Sequence, residues 1–352
     1  MQPSRNTMSN TKSKSKAKPN STARNKGSSQ RMLIEREDLS QFKGVYISMS
    51  ELIGLQASHA KLDLTGQRKS LATMSGMHRS SFRGRGIDFD EVRQYAPGDD
   101  IRHIDWRVTA RTGKTHTKLY HEERERPVYL VIDQRQSMFF GTKDAFKSVV
   151  AARTAAYLAW AARDHGDRVG GFLFNDTEVL KVRPKEGKRG IQQFFRTLIQ
   201  FNQTLPARET KASQSSSSIR AAIEGLQQVV KPGSLVFVIS DFHGFDDIAL
   251  QHLALIAKHS DMIAAHISDP MEQRLPATGS YGFTDGTRNI KLNTGNRELR
   301  KRFRTRYIEQ HIRIKEQLTR IGVPTIDINT GQSISTALAE SLGMKSRKRK
   351  HR

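Results

Sequence analysis

Two short runs of apolar residues constrain the fold of this 352-residue chain more than any other feature. One run covers 128–132 (Val-Tyr-Leu-Val-Ile), and the other covers 235–239 (Leu-Val-Phe-Val-Ile). A continuous apolar run of this length, without polar alternation, is typical of a strand that is buried on both faces. Such strands occur in parallel sheets covered by helices, so an α/β domain is predicted.

The segments around these runs alternate between strand and helix patterns. Further strands are predicted at 168–174, 179–182, 262–267 and 324–328. Helices are predicted at 143–164, 191–200, 219–230, 246–259, 297–321 and 333–342, and the Ser-rich stretch 213–218 is predicted to be a loop. This alternation predicts a parallel, Rossmann-like sheet with helices on both faces.

Four parts of the chain are predicted. Residues 1–35 are a disordered basic tail, and residues 36–127 hold an N-terminal helix and an Arg/Asp/Gly-rich segment that packs on the domain. The α/β domain covers 128–342, and a second disordered basic tail covers 343–352. Residues 1–30 and 345–352 together carry 13 positive charges and no acidic residue, in a chain whose formal net charge is +24. Such tails are either solvated and disordered, or they attract an anionic lipid surface or bind nucleic acid weakly.

Composition and missing motifs exclude several functions. The chain has no cysteine, so it has no thiol nucleophile and no Cys-ligated zinc. No GxxxxGK[ST] or GxSxG motif occurs, and His78, His103, His116 and His121 lack the spacing of zinc ligands. No apolar run is long enough for a transmembrane helix or a signal peptide. A cytoplasmic protein that is not an enzyme is therefore expected.

An ordered set of motifs precedes the first apolar run. It comprises residues 84–89 (Gly-Arg-Gly-Ile-Asp-Phe), 93–100 (Arg-Gln-Tyr-Ala-Pro-Gly-Asp-Asp), 102–107 (Arg-His-Ile-Asp-Trp-Arg) and 109–112 (Thr-Ala-Arg-Thr). Its main positions are Arg93, Tyr95, Gly98, Asp99, Arg102, Asp105, Trp106, Arg111 and Glu122. Over 52–342 the chain closely resembles the MoxR-associated von Willebrand factor A-like family of bacteria, a domain of unknown function. The resemblance implies a von Willebrand factor A-like fold. It also implies a MoxR-type AAA+ ATPase as partner, in chaperone-like maturation or assembly of a client protein.

The resemblance also indicates where a metal site would lie. Asp133 and Asp241 follow the two apolar runs, so both carboxylates are expected at the carboxyl edge of the sheet, where ligands bind. The family's fold often carries an Asp-x-Ser-x-Ser turn there. Here Arg135 replaces the first Ser, Ser137 keeps the second, and Ser217 stands near the position of a distal Thr.

Two interpretations of this edge stay open. Arg135 is either an internal counter-charge between Asp133 and Asp241, or it points away and leaves these two residues and Ser137 to bind Mg²⁺. A guanidinium cannot ligate a cation, so we expect no cofactor.

The motif segment also has two interpretations. It is a partner-docking surface anchored by Trp106 and arginines, or an internal ion-pair network. The leading functional hypothesis is a non-enzymatic protein-binding scaffold or adaptor. The alternatives are a basic nucleic-acid-binding protein and a metal-dependent hydrolase.

Overall fold

The computed structural model describes residues 43–57, 88–97, 99–121, 126–204, 212–276, 279–284 and 289–341. These residues belong to one compact unit, Phe42–Arg352. The predictions made for 1–35 and 343–352 lie outside the described residues.

Strands and helices alternate along most of the described chain. The strands are β1 (Asp88–Gln94), β2 (His116–His121), β3 (Pro127–Asp133), β4 (Arg168–Phe174), β5 (Val179–Lys185), β6 (Leu235–Ser240), β7 (Asp261–Ser268), β8 (Ser280–Thr284), β9 (Asn289–Asn293) and β10 (Thr325–Asn329). The α-helices are α1 (Met49–Gly54), α2 (Trp106–Thr112), α3 (Lys147–Asp164), α4 (Gly187–Gln203), α5 (Ala212–Gln227), α6 (Asp247–Ala257), α7 (Pro270–Gln273), α8 (Arg297–Arg320) and α9 (Ile334–Ser341).

A six-stranded sheet in the order β10-β7-β6-β3-β4-β5 forms the centre. Every neighbouring pair is parallel except β4 and β5, which are antiparallel. The predicted α/β class is thus confirmed, with one antiparallel edge strand. Strand β5 runs antiparallel to β4 because the connection 175–178 has only four residues. A parallel pair would need a crossover of about a dozen residues or more.

The order of the strands defines a switch point in the sheet. From β3 the chain builds outward through β4 and β5, and it then returns to the other side of β3 for β6, β7 and β10. The carboxyl ends of β3 and β6 therefore flank the position at which ligands bind in open α/β sheets. Asp133 ends β3, and Asp241 directly follows β6.

Both faces of the sheet are covered, as continuous apolar strands require. Leu130 and Ile132 of β3 pack in a core formed with α1, α3, α4 and α9. Tyr129 and Val131 point to the opposite face and pack with α5, α6 and the end of α8. Because successive residues of a strand face opposite sides of the sheet, burial of these four side chains requires helices on both faces.

The segment 43–57 is part of the core. Ile47 and Leu52 are fully buried. The indole nitrogen of buried Trp160 donates to the carbonyl of Leu52 at 2.9 Å, and the backbone nitrogen of Ile47 donates to Asn202 Oδ1 at 2.9 Å. Within the predicted segment 36–127, an N-terminal helix is present as α1, which is followed by a 3₁₀ turn at Leu55–Ala57.

The Arg/Asp-rich segment forms its own small sheet. Strands β1 and β2 pair antiparallel with each other, outside the six-stranded sheet. Between them lie a 3₁₀ turn at Ile101–His103 and helix α2.

One local prediction differs from the structure, and one local element was not predicted. The Ser-rich stretch 213–218 is not a loop, because α5 already begins at Ala212. Its later residues Ile219, Ala222 and Ile223 are buried at helical spacing, and this packing stabilises the helix despite the modest helix propensity of serine. The β8–β9 hairpin was not predicted, since its short strands contain Gly and Asn, which are rare in strands.

No helix within the described part of the chain is long and apolar enough to cross a membrane.

Candidate functional site: the carboxyl edge of the sheet

Asp133 and Arg135 form a buried ion pair at the end of β3. The turn after the strand folds the Arg135 side chain back, so that Nη2 donates to Asp133 Oδ2 at 2.6 Å. Nε lies 3.0 and 3.1 Å from the two carboxylate oxygens, and the backbone nitrogen of Arg135 donates to Oδ1 at 3.0 Å. Both side chains have no solvent exposure. The guanidinium is thus bound tightly to the carboxylate.

The same guanidinium also reaches the neighbouring strand end. Nη2 of Arg135 lies 3.4 Å from Asp241 Oδ1, and Nη1 donates to the carbonyl of His243 at 2.9 Å. The guanidinium carbon lies 5.6 Å from the centre of the Phe174 ring. Arg135 therefore lies between the two carboxylates that end β3 and follow β6.

Lys147 supplies a second buried cation at this edge. Its Nζ donates to Asp241 Oδ2 at 2.9 Å and to Glu272 Oε1 at 2.6 Å. Lys147 is the first residue of α3, where the helix dipole disfavours a positive charge. The two carboxylates offset this unfavourable effect and so explain why a lysine is found at this position. The sequence analysis did not predict Lys147 as a site residue.

The ion pairs shift the pKa values of the groups in this cluster. Burial lowers the pKa of Arg135 and of Lys147, but the adjacent carboxylates outweigh it and raise both above their usual values. Burial raises the pKa of Asp241, while Lys147 and Arg135 lower it to well below its usual range. All three groups are therefore charged at neutral pH.

Protein donors already engage the carboxylate oxygens that would face a metal ion. Asp133 Oδ2 accepts from Ser240 Oγ at 2.6 Å in addition to Arg135. Asp241 Oδ1 accepts from the backbone nitrogen of His243 at 2.9 Å, and its Oδ2 accepts from Lys147.

The two serines of the predicted metal turn are placed differently. Ser137 lies in the 3₁₀ turn Gln136–Met138, and its hydroxyl has no hydrogen-bond partner among the described residues. Ser217 lies within α5, and its side chain is outside the described residues. The structure thus joins Asp133, Arg135 and Asp241 by direct contact and does not show Ser217 joining them.

Another buried aspartate, Asp269, holds the neighbouring loops. Asp269 follows β7, and its carboxylate accepts from the backbone nitrogen and the hydroxyl of Thr142 at 2.8 and 2.6 Å. It also accepts from Thr330 Oγ1, after β10, at 2.6 Å. Three connections at the carboxyl edge are therefore joined through one side chain.

Part of the motif segment is an internal network. Arg93 Nη2 contacts Asp99 Oδ1 at 2.6 Å. Asp105 caps α2 by accepting from the backbone nitrogens of Arg107 and Val108 at 3.0 and 3.1 Å. These carboxylates order the backbone of the segment.

Another part of the segment faces solvent. Trp106 is 70% exposed and Ile101 is 67% exposed, and both are among the exposed large apolar residues. Arg102 and Arg111 are exposed as well. Tyr95 is half-buried, while Gly98 and Glu122 lie outside the described residues. The structure thus contains features of both interpretations of this segment.

The fold and the site define an α/β protein with buried ion pairs at the carboxyl edge of a mostly parallel sheet. The chain belongs to the family described as protein of unknown function DUF58, whose model matches residues 91–313.

Proteins of two mycobacteria are similar to this chain. Uncharacterized proteins of Mycobacterium tuberculosis and Mycobacterium bovis are 29% identical over 240 residues, which is 67% of this chain and 72% of theirs. Among solved structures, BatB from Bacteroides thetaiotaomicron matches with 15% identity and a TM-score of 0.38, covering 62% of this chain and 97% of BatB. An aerotolerance-related membrane protein from Bacteroides fragilis matches with 14% identity and a TM-score of 0.40, covering 62% and 98%.

Proposed function

We propose that this protein is a non-enzymatic scaffold or adaptor with a von Willebrand factor A-like fold. The proposed partner is a MoxR-type AAA+ ATPase, and the proposed process is chaperone-like maturation or assembly of a client protein. The ATPase partner and the process rest on the motif resemblance, since the family itself has no named function. A partner that consumes ATP implies the cytoplasm as the place of action.

The exposed pair Trp106 and Ile101 is the observation that carries this proposal. Both large apolar side chains lie in the motif segment and face solvent. The caps and ion pairs around them order their backbone, so little conformational entropy is lost when a partner covers them. Tryptophan and arginine are enriched among the residues that dominate binding energy at protein interfaces.

The carboxyl edge of the sheet supports a role without metal chemistry. A hydrolase or a metal-dependent adhesion site would need a divalent cation between Asp133 and Asp241. In this chain Arg135 and Lys147 supply two positive charges to these carboxylates. Neither side chain can act as a cation ligand, and both occupy carboxylate oxygens that Mg²⁺ would need. We propose that this edge binds no Mg²⁺.

Fluorescence offers a direct test of the docking surface. The chain has two tryptophans, and Trp160 is buried while Trp106 is exposed. Titration with a MoxR-type ATPase from the same organism should therefore change the Trp106 emission. Trp106→Ala should weaken binding, measured by calorimetry, at least tenfold, which corresponds to about 1.4 kcal/mol.

A matched control uses an exposed apolar residue on another element. Ile312→Ala on α8, where the side chain is 49% exposed, should leave the affinity unchanged. Equal affinity of Trp106→Ala and the unmodified protein would show that the docking surface is wrong. Failure to bind any such ATPase, together with Mg²⁺-dependent hydrolysis, would contradict the proposed function.

A further inference from the structure

Two histidines and an aspartate meet at a place distant in sequence from the edge cluster. His266 lies on β7 and Asp327 lies on β10, and these two residues are direct partners in the parallel pairing of the two strands. His311 lies on α8. One potential ligand atom from each of the three residues lies within 4.8 Å of the other two. Three different elements therefore contribute to one cluster.

The two distances to Asp327 in this cluster suit a metal ion better than hydrogen bonds. His266 Nδ1 and His311 Nε2 lie 3.5 and 3.6 Å from the same oxygen, Asp327 Oδ1. A good hydrogen bond from nitrogen to oxygen is shorter, about 2.7–3.2 Å. Ligand atoms around a tetrahedral zinc ion are about 3.4 Å apart, which follows from zinc–nitrogen and zinc–oxygen distances of about 2.0–2.2 Å.

Aromatic neighbours hold both imidazole rings in place. Tyr307, one turn before His311 on α8, stacks on its ring at 6.0 Å and 7°. Phe242 stacks on His266 at 6.2 Å. The two imidazoles themselves lie 4.8 Å apart. The donor atoms are therefore positioned by packing, as a metal site requires.

The polar atoms of the cluster are poorly satisfied without a ligand. Among the described residues, the buried Nδ1 atom of His266 makes no hydrogen bond of normal geometry, and it faces Asp327 Oδ1 at 3.5 Å. Such groups are costly to bury unpaired.

We propose that His266, His311 and Asp327 form a binding site for a divalent transition-metal ion of the zinc class. Two imidazole nitrogens and one carboxylate oxygen are a ligand set that zinc uses with an open fourth position. His311 is 26% exposed and Asp327 is 45% exposed, so an ion can enter from solvent. The other carboxylate oxygen of Asp327 faces Lys315 at 3.4 Å, which leaves Oδ1 for the metal. This site is independent of the proposed scaffold function.

Zinc titration of the full chain, purified without a histidine tag, tests the proposal. Calorimetry should show one zinc ion per chain at this site, and Mg²⁺ should not compete, because Mg²⁺ prefers all-oxygen shells. Co²⁺ bound in place of zinc should give a visible ligand-field spectrum. The variants His311→Gln and Asp327→Asn should each weaken zinc binding at least tenfold and abolish the Co²⁺ spectrum.

His252 provides a matched control. Its Nε2 lies 3.5 Å from Glu224 Oε1, so it is also a half-buried histidine beside a carboxylate. His252→Gln should bind zinc like the unmodified protein. Circular dichroism of each variant without metal checks that it is folded. If His311→Gln does not fold, the nearly isosteric Asp327→Asn tests the proposal. The proposal would be overturned if the unmodified protein took up no zinc at micromolar concentrations. It would equally be overturned if folded Asp327→Asn bound zinc as tightly as His252→Gln.

Discussion

The ammonium of Lys147 lies 2.9 Å from Asp241 Oδ2, and this ion pair links the start of α3 to the carboxyl end of β6. Asp241 is in turn shared with Arg135 at 3.4 Å. Two cations and the carboxylates between them thus form one buried network at the switch point of the sheet. Such a network costs much desolvation, and removal of one member leaves a buried charge unpaired.

Lys147→Met should destabilise the protein strongly. Methionine keeps most of the volume but leaves Asp241 and Glu272 without the ammonium, so we expect a loss of about 3 kcal/mol in the free energy of unfolding. Urea denaturation at neutral pH measures it. Lys185→Met removes an exposed lysine and should change stability by less than about 0.5 kcal/mol. If Lys147→Met lost less than about 0.5 kcal/mol, as expected for Lys185→Met, the buried ion pair would have no structural role.

The depressed pKa of Asp241 predicts how stability responds to acid. A carboxylate whose folded pKa lies below its unfolded value, about 3.9, stabilises the protein above that value. Its contribution is lost as the pH falls toward the folded pKa. Between pH 4 and pH 2, the unfolding free energy of the unmodified protein should fall as the pH is lowered. In Asp241→Asn this slope should be smaller by up to about 1.4 kcal/mol per pH unit. An equally steep decline in the variant would contradict the coupling.

The two tryptophans should respond differently to the same substitution. Trp160→Phe removes the buried hydrogen bond to the Leu52 carbonyl, which should cost about 1–3 kcal/mol. Trp106→Phe changes an exposed residue and should cost less than about 0.5 kcal/mol. Guanidinium denaturation of both variants makes the comparison. Equal losses would show that segment 43–57 is not held through Trp160.

Much of the fold was predictable because its signals are local. The runs 128–132 and 235–239 are apolar at every position, and only a strand covered on both faces needs that pattern. The shared edge of Asp133 and Asp241 followed from the rule for parallel sheets. Arg135 is two residues from Asp133, so its role as a counter-charge could be considered from the sequence, although the choice between the two interpretations needed the geometry.

The partners that sequence reasoning missed are distant along the chain. Lys147 is separated from Asp241 by 94 positions and from Glu272 by 125. His266 and Asp327 become neighbours only because β7 pairs with β10, and His311 joins them only because α8 packs nearby. No fixed sequence spacing marks such contacts. The position of Lys147 at the start of a helix, where the helix dipole disfavours a cation, also emerged only from the structure, because the sequence predicted that this helix begins at 143.

Any binding of nucleic acid should depend on the basic tails. Residues 1–30 and 345–352 carry 13 positive charges. Binding of duplex DNA, measured by fluorescence anisotropy at several salt concentrations, should be weak and should lose about 0.9 in log–log slope for each phosphate contact removed. Deletion of both segments should abolish it. Tight, sequence-specific binding by the shortened chain would favour a nucleic-acid-binding protein over a scaffold.

Calorimetric titration with Mg²⁺ tests most directly the claim that the carboxyl edge carries its own counter-charges. The unmodified protein should show no binding at this edge up to millimolar Mg²⁺. Arg135→Ser restores a hydroxyl, exposes the charges of Asp133 and Asp241, and should bind Mg²⁺, which should then raise its melting temperature. Arg135→Met lacks both charge and hydroxyl, and it should bind Mg²⁺ more weakly than Arg135→Ser. A clear millimolar or tighter Mg²⁺ signal from the unmodified protein, lost in Asp241→Asn, would contradict the account.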